Sequence, residues 1–193
     1  ITVSYNDVSF NGVNGICLYS HGTTEDTLGS ADSQIVNVTV SFNGAFSNGE
    51  NGIYLDSRGD HGDSHICNVT ILSNNVSSNG LNGIHLYSQS FHVGSSGYSY
   101  IYGTVISSNN AFSNGGDGIC LYGYSAWNVE SHIYSVTISS NMASSNGEDG
   151  IQISASTHHT LYDLTIWSNR IAANDQKGIG IDGGVNANFS WNS

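Results

Sequence analysis

The sequence predicts an all-β fold: a right-handed parallel β-helix, or solenoid, of about six coils in one domain spanning residues 1–193. Three observations predict it. An 18-residue unit recurs along the chain, Asn and Gly occupy fixed columns of that unit, and its apolar residues alternate with polar ones.

The repeat is plainest in Val136 to Ile153, VTISSNMASSNGEDGIQI. Similar stretches start at Ile1, Val38, Val69, Thr104, Val136 and Leu164, so successive starts lie 37, 31, 35, 32 and 28 residues apart. A repeat whose conserved part keeps its length while its connections vary marks a stacked architecture with insertions on one side. One Asn column holds Asn6, Asn43, Asn74, Asn109, Asn141 and Asn169; a second holds Asn11, Asn48, Asn79, Asn114, Asn146 and Asn174. A Gly column (Gly15, Gly52, Gly83, Gly118, Gly150, Gly178) is followed directly by an Ile column from Ile16 to Ile179.

Side chains of a strand point alternately to its two faces. Ile1 and Val3 with their counterparts, Ile16 and Leu18 with theirs, and a middle position held by Val8, Ala45, Val76, Ala111, Ala143 or Ile171 are therefore expected inside. One coil alone buries too little; stacked coils share a continuous core. Asn in register on coils ~4.8 Å apart can form amide ladders. Asn and Gly also tolerate left-handed backbone, so both columns are expected at tight corners. Six coils give a rod on the order of 30 Å long. In the last coil Asp175, Gln176 and Lys177 replace the usual Gly and Asn or Asp.

The resulting pattern, N-x-[VA]-x-x-N-G-x-[ND]-G-I-x-L, resembles the NosD-type repeat, also called the carbohydrate-binding and sugar-hydrolase (CASH) repeat. It covers essentially the whole chain, within the surface-protein branch of pectin-lyase-like folds. The resemblance implies the β-helix. It leaves function open, because the family spans pectin-type lyases and hydrolases, alginate epimerases, a copper-site maturation factor and many surface proteins.

Composition narrows the partners. The formal net charge is −12, with only three Lys and Arg (Arg58, Arg170, Lys177). Nucleic acid needs clustered basic residues to displace counterions, so it is excluded as a partner. No apolar run approaches the ~18–20 residues of a membrane span. The chain opens inside a strand-like segment, Ile1-Thr2-Val3, without Met or signal peptide, and so reads as a processed form or a fragment of a longer chain.

The variable connections, 19–37, 56–68, 87–103, 122–135, 154–163 and 182–193, are expected to leave one corner and stack on one flank. They hold an aromatic contact set of Tyr87, Tyr98, Tyr100, Tyr102, Tyr122, Tyr124, Trp127 and Tyr134. Such rings stack on sugars, anchor a protein interface, or bury one another. Asp117, Glu148 and Asp149 are the candidate acids; paired carboxylates hold Ca²⁺ or act on a glycosidic bond. The bland alternative is that Asp117 and Asp149 replace Asn14, Asn51 and Asn82 in a corner ladder. The family's lyases generally set a basic residue beside their calcium. Coils four and five supply none there, which counts against a lyase.

His61, His65 and Cys67 are the candidate metal ligands, of the types that zinc or copper takes, with a solvated polar loop as the alternative. No cofactor is expected, Ca²⁺ and copper being the alternatives. Cys17 and Cys120 share one outward column three coils apart, too far to bond each other, so Cys17, Cys67 and Cys120 are candidates for intermolecular disulfides. Sequons at Asn37, Asn68, Asn75 and Asn188 are candidate glycosylation sites in an exported chain.

The leading expectation is a structural extracellular or cell-surface protein whose partner is itself. It would assemble into a filament, sheath or surface layer through coil ends and aromatic or Cys-bearing loops. A carbohydrate-binding or polysaccharide-degrading protein is the alternative. A copper-handling protein is the second alternative.

Overall fold

The computed structural model describes residues 1–23, 31–91, 97–126, 130–156, 160–183 and the backbone of 185–190. The first coil comprises β1 (Thr2–Ser4), β2 (Asp7–Ser9) and β3 (Ile16–Gly22). The second comprises β4 (Ser33–Ser41), β5 (Gly44–Phe46) and β6 (Ile53–Asp60), and the third β7 (Ser64–Leu72), β8 (Asn75–Ser77) and β9 (Ile84–Phe91). Then follow β10 (Ser99–Ser107), β11 (Asn110–Phe112) and β12 (Ile119–Ser125), and β13 (Ser131–Ser139), β14 (Met142–Ser144) and β15 (Ile151–Ala155). The sixth coil is β16 (Thr160–Trp167), β17 (Arg170–Ala172) and β18 (Ile179–Asp182), and β19 (Val185–Ser190) begins another turn. Each strand pairs in parallel with its counterparts on neighbouring coils. The result is three sheets of seven, six and six strands, here called A, B and C in the order the chain visits them. This is the expected parallel β-helix.

The core is a stack of aliphatic columns. Val38, Val40, Ala45, Ile53 and Leu55 point inward in the second coil, as the alternation requires, and so do their counterparts above. Sheet A adds a column the repeat did not reveal: Ile35, Ile66, Ile101, Ile133 and Leu161. Three positions, not two, separate Ile35 from Val38, because Asn37 between them is left-handed (φ 54°). The same kink recurs at Asn68, Gly103, Ser135 and Asp163. It resets the alternation, so the apolar period breaks within one continuous strand.

That kink corrects the expected layout. The segments read as loops are mostly strand. Sheet C continues to Asp60 in β6 and to Phe91 in β9, and sheet A resumes at Ser33, Ser64, Ser99 and Ser131. The aromatic set accordingly divides between two sheets rather than stacking on one loop flank.

The Asn ladders form as expected. Asn43 Nδ2 donates to Asn74 Oδ1, Asn74 to Asn109 and Asn109 to Asn141, at 2.9, 2.9 and 3.0 Å. The second ladder runs from Asn48 to Asn79 to Asn114 to Asn146 at 2.9, 3.0 and 3.1 Å. The left-handed corner residue is not the Asn, however. It is the residue before it: Phe42, Ser47, Ser73, Ser78, Ser108 and Ser113. The amide must face inward along the stack, and the outward neighbour takes the left-handed backbone. The repeating glycines serve space rather than conformation. A Cβ on Gly52 would lie 2.1 Å from Val76 Cγ1 and 2.7 Å from Asn79 Nδ2.

Candidate functional site

Sheet A presents ordered columns on its outer face. Tyr102, Tyr134 and Tyr162 are register neighbours, and their rings stack at 5.0 and 4.9 Å, each pair within 2° of parallel. Cys67 continues this column below Tyr102. Beside it, His65, Tyr100 and His132 stack at 4.8 and 5.2 Å, and Tyr98 leans against both Tyr100 and His132. Across the kink, Thr39, Thr70, Val105, Thr137 and Thr165 form a hydroxyl and methyl column. Next to it lie Ser41, Leu72, Ser107, Ser139 and Trp167. Ring faces inside the stacks are covered by other rings, so the ladder offers edges and phenol hydroxyls. Trp167, 43% exposed, and Tyr162, 39% exposed, sit on one strand, five residues and thus about 16 Å apart at ~3.3 Å per residue. The Tyr102 phenol is raised to about 12, chiefly by its hydrogen bond with the Cys67 thiol, and Tyr100 reaches about 12 through burial.

Sheet C carries a cluster that the sequence reading missed. Tyr54, Asp56 and Arg58 are successive outward positions of β6, and His85 and Tyr87 lie beside Tyr54 and Asp56 on β9. Arg58 donates through Nε and Nη2 to the Asp56 carboxylate, the shortest contact being 2.7 Å, and Tyr54 donates its phenol to Asp56 Oδ2 at 2.9 Å. The guanidinium carbon lies 5.8 Å from the Tyr19 ring centre and 5.5 Å from that of Tyr87, a cation sandwiched by two rings. Burial lowers His85 to about 4, so it is neutral at physiological pH. The available signal is the alternation Tyr-x-Asp-x-Arg, which continues past Leu55 into the segment 56–68 expected as a connection.

The candidate acids take their places in a third corner ladder. Asn51 bonds back to Asn14 Oδ1, Asn82 N–H to Asn51 Oδ1, Asp117 N–H to Asn82 Oδ1, Asp149 N–H to Asp117 Oδ1 and Lys177 N–H to Asp149 Oδ1. In this ladder the side-chain oxygen need only accept, so a carboxylate fits. In the first two ladders the side chain must also donate, and every member is Asn. Asp117 and Asp149 are buried by the corner and Glu148 is exposed beside them. Burial raises the Asp117 carboxyl.

His61, His65 and Cys67 do not come together. His61 sits in the left-handed turn after β6, His65 is packed on Tyr100, and Cys67 lies under Tyr102. Among the described residues, no group of three metal-ligating side chains converges. Cys17 and Cys120 do share a column, with Tyr54 and His85 between them. Only Cys17 is exposed, because Cys67 and Cys120 are covered by their neighbours, and burial raises the Cys120 thiol well above its usual range. Asn37 and Asn68 are exposed at the kink and Asn75 is exposed on β8. The Asn188 side chain and Trp127 lie outside the described residues.

The description "right handed beta helix region" matches residues 28–193. The chain belongs to the right-handed β-helix family. No curated protein matches this β-helix significantly. Among solved structures it is similar to the A-module of mannuronan C-5 epimerase AlgE6 from Azotobacter vinelandii. That similarity has 15% identity and a TM-score of 0.40, over 97% of this chain and 56% of that one. The β-helix thus spans about half the length of that structure.

Proposed function

We propose that this β-helix is an extracellular or cell-surface binding scaffold that holds an extended, neutral polysaccharide against the outer face of sheet A. One observation carries the reading. On a chain of net charge −12, the outward positions of β4, β7, β10, β13 and β16 include one formally charged residue, Asp163, when histidine is neutral. The remainder are rings, hydroxyls, amides and small apolar groups. A sugar polymer has that same mixture of hydroxyl edges and C–H faces, and Tyr and Trp match it with an apolar body and a polar tip. Exposed Trp167 and Tyr162 supply stacking, and the Thr and Tyr columns supply hydrogen bonds. The contrast with sheet C is marked, since Asp56, Arg58 and Asp60 all project from its β6.

The test is retention in gels containing neutral or acidic polysaccharides, at low and high salt. Retention by neutral polymers, indifferent to salt and weakened at least tenfold by Trp167→Ala, is expected. Retention by acidic polymers alone with steep salt dependence, or no effect of Trp167→Ala, would sink the reading.

A second reading, self-association, is favoured by the first coil. Ile1, Tyr5, Phe10 and Val13 are 73%, 78%, 80% and 54% exposed there. Another coil stacked on this end, from preceding chain or from a second copy, would cover them, and exposed Cys17 lies on the same coil. Electron microscopy with and without reductant tests it: filaments support the reading, and single rods under both conditions reject it.

A further inference from the structure

A buried thiol lies at the foot of a tyrosine stack that reaches the surface. Cys67 is 4% exposed, so a bulky reagent in solution does not touch its sulfur. Tyr102 lies directly above it in register, Tyr134 above Tyr102 and Tyr162 above Tyr134, with ring centres 5.0 and 4.9 Å apart and planes within 2°. Tyr162, at the far end of the column, is 39% exposed, and Tyr134 and Tyr102 are partly exposed on the same outer face. Phenols are the side chains, besides Trp and Cys, that lose one electron most readily. Transfer between them is fastest when rings are in contact, as these are. Cys67 is the register partner of Tyr102 on the adjacent strand, so thiol and phenol-bearing ring are neighbours on one face and the last step passes between adjacent side chains.

We propose that the Tyr162–Tyr134–Tyr102 column is a radical relay that carries oxidising equivalents from the surface to the Cys67 thiol. The reagent is a one-electron oxidant. It takes one electron from Tyr162, whose phenolic proton passes to water, leaving a phenoxyl radical. Tyr134 then supplies an electron and a proton to Tyr162, and Tyr102 does the same for Tyr134. Finally the Cys67 S–H bond breaks and its hydrogen atom forms the O–H bond of Tyr102. The net change is Cys67–SH plus oxidant giving the Cys67 thiyl radical, a proton and reduced oxidant. Each step regenerates the phenol it used, so the oxidation leaves the exposed ring and collects at one sulfur as a thiyl radical. This inference is independent of polysaccharide binding.

The experiment is photochemical oxidation with ruthenium(III) tris-bipyridyl in the presence of a nitrone spin trap, followed by peptide mass spectrometry. The trap adduct is expected at Cys67. Tyr102→Phe keeps a stacked ring but lacks the phenol, and should reduce that adduct at least tenfold. Tyr134→Phe should reduce it several-fold, because Tyr100, 6.5 Å from Tyr102 edge to face, offers a side entry. Cys67→Ala should leave a longer-lived tyrosyl signal in electron paramagnetic resonance. Alkylation in the dark checks that Cys67 stays protected in every variant. An unchanged Cys67 adduct in protected Tyr102→Phe protein, or adduct confined to Cys17 and exposed tyrosines, overturns the relay.

Discussion

The side-chain Oδ1 of Asp117 accepts the backbone N–H of Asp149 at 2.9 Å, one coil away. The contact keeps the corner ladder continuous where the residue type changes from amide to acid. Asp117 cannot donate to Asn82 as Asn51 Nδ2 donates to Asn14, also at 2.9 Å. Its carboxylate is buried, and burial raises its pKa above the usual 3.8. A raised folded-state pKa means that ionisation costs stability: the cost is absent below the unfolded value and grows as pH rises through the folded one. Asp117→Asn is therefore expected to raise Tm at pH 7, with the gain vanishing below about pH 3.8. Thermal unfolding of both proteins across pH checks it, and a gain that persists undiminished at low pH contradicts it.

His85 gives the opposite pH dependence. Its pKa falls from 6.5 to about 4 because burial penalises the imidazolium, outweighing the attraction of Asp56. The unfolded chain binds the proton more tightly, so stability is lost as pH falls from 6.5 through the folded value. At about 1.4 kcal/mol per unit, the full loss is on the order of 3 kcal/mol. Urea unfolding at pH 7.5 and pH 4 measures it. His85→Gln should flatten that part of the profile, leaving the carboxylates to dominate below it.

Asn109 is the middle of the first ladder. Its side-chain nitrogen donates to Asn141 Oδ1, Ile71 O and Ser107 O, and its oxygen accepts both the backbone and side-chain N–H of Asn74. Replacing it by Ala strands these buried groups, for an expected loss of about 2–4 kcal/mol. Asn110→Ala, next to it but outward and without that network, should cost well under 1 kcal/mol. Equilibrium unfolding of the two variants compares them, and equal losses would show that the ladder contributes nothing special.

Much of the fold is legible in the sequence because each rung repeats the same local problem. The Asn columns of Asn43 and Asn48 appear in every coil, since the short amide accepts from one coil while donating both to the next and to backbone carbonyls. The Gly column stays glycine because Val76 and Asn79 press against the place where a Cβ on Gly52 would sit. The Ile column and the small middle position follow from a narrow shared core. Asp117 and Asp149 could be read as ladder members from their column alone, and the hydrogen bonds bear that out.

What escaped the sequence was whatever the kink in sheet A decides. Asn37, Asn68, Gly103, Ser135 and Asp163 share a backbone angle and no side-chain chemistry, so they form no visible column. Past that kink the inside and outside of the strand exchange, so Ile35 falls out of the apolar alternation. Only the stacked register could show that Tyr102, Tyr134 and Tyr162 make one column, that Cys67 ends it, and that Arg58 sits between Tyr19 and Tyr87. By itself the sequence determined a stack of coils with an aliphatic core and amide corners, because those features repeat at every level. The tertiary structure decided which outward residues meet, because connections of unequal length set the register of the faces, and a repeat count cannot supply it.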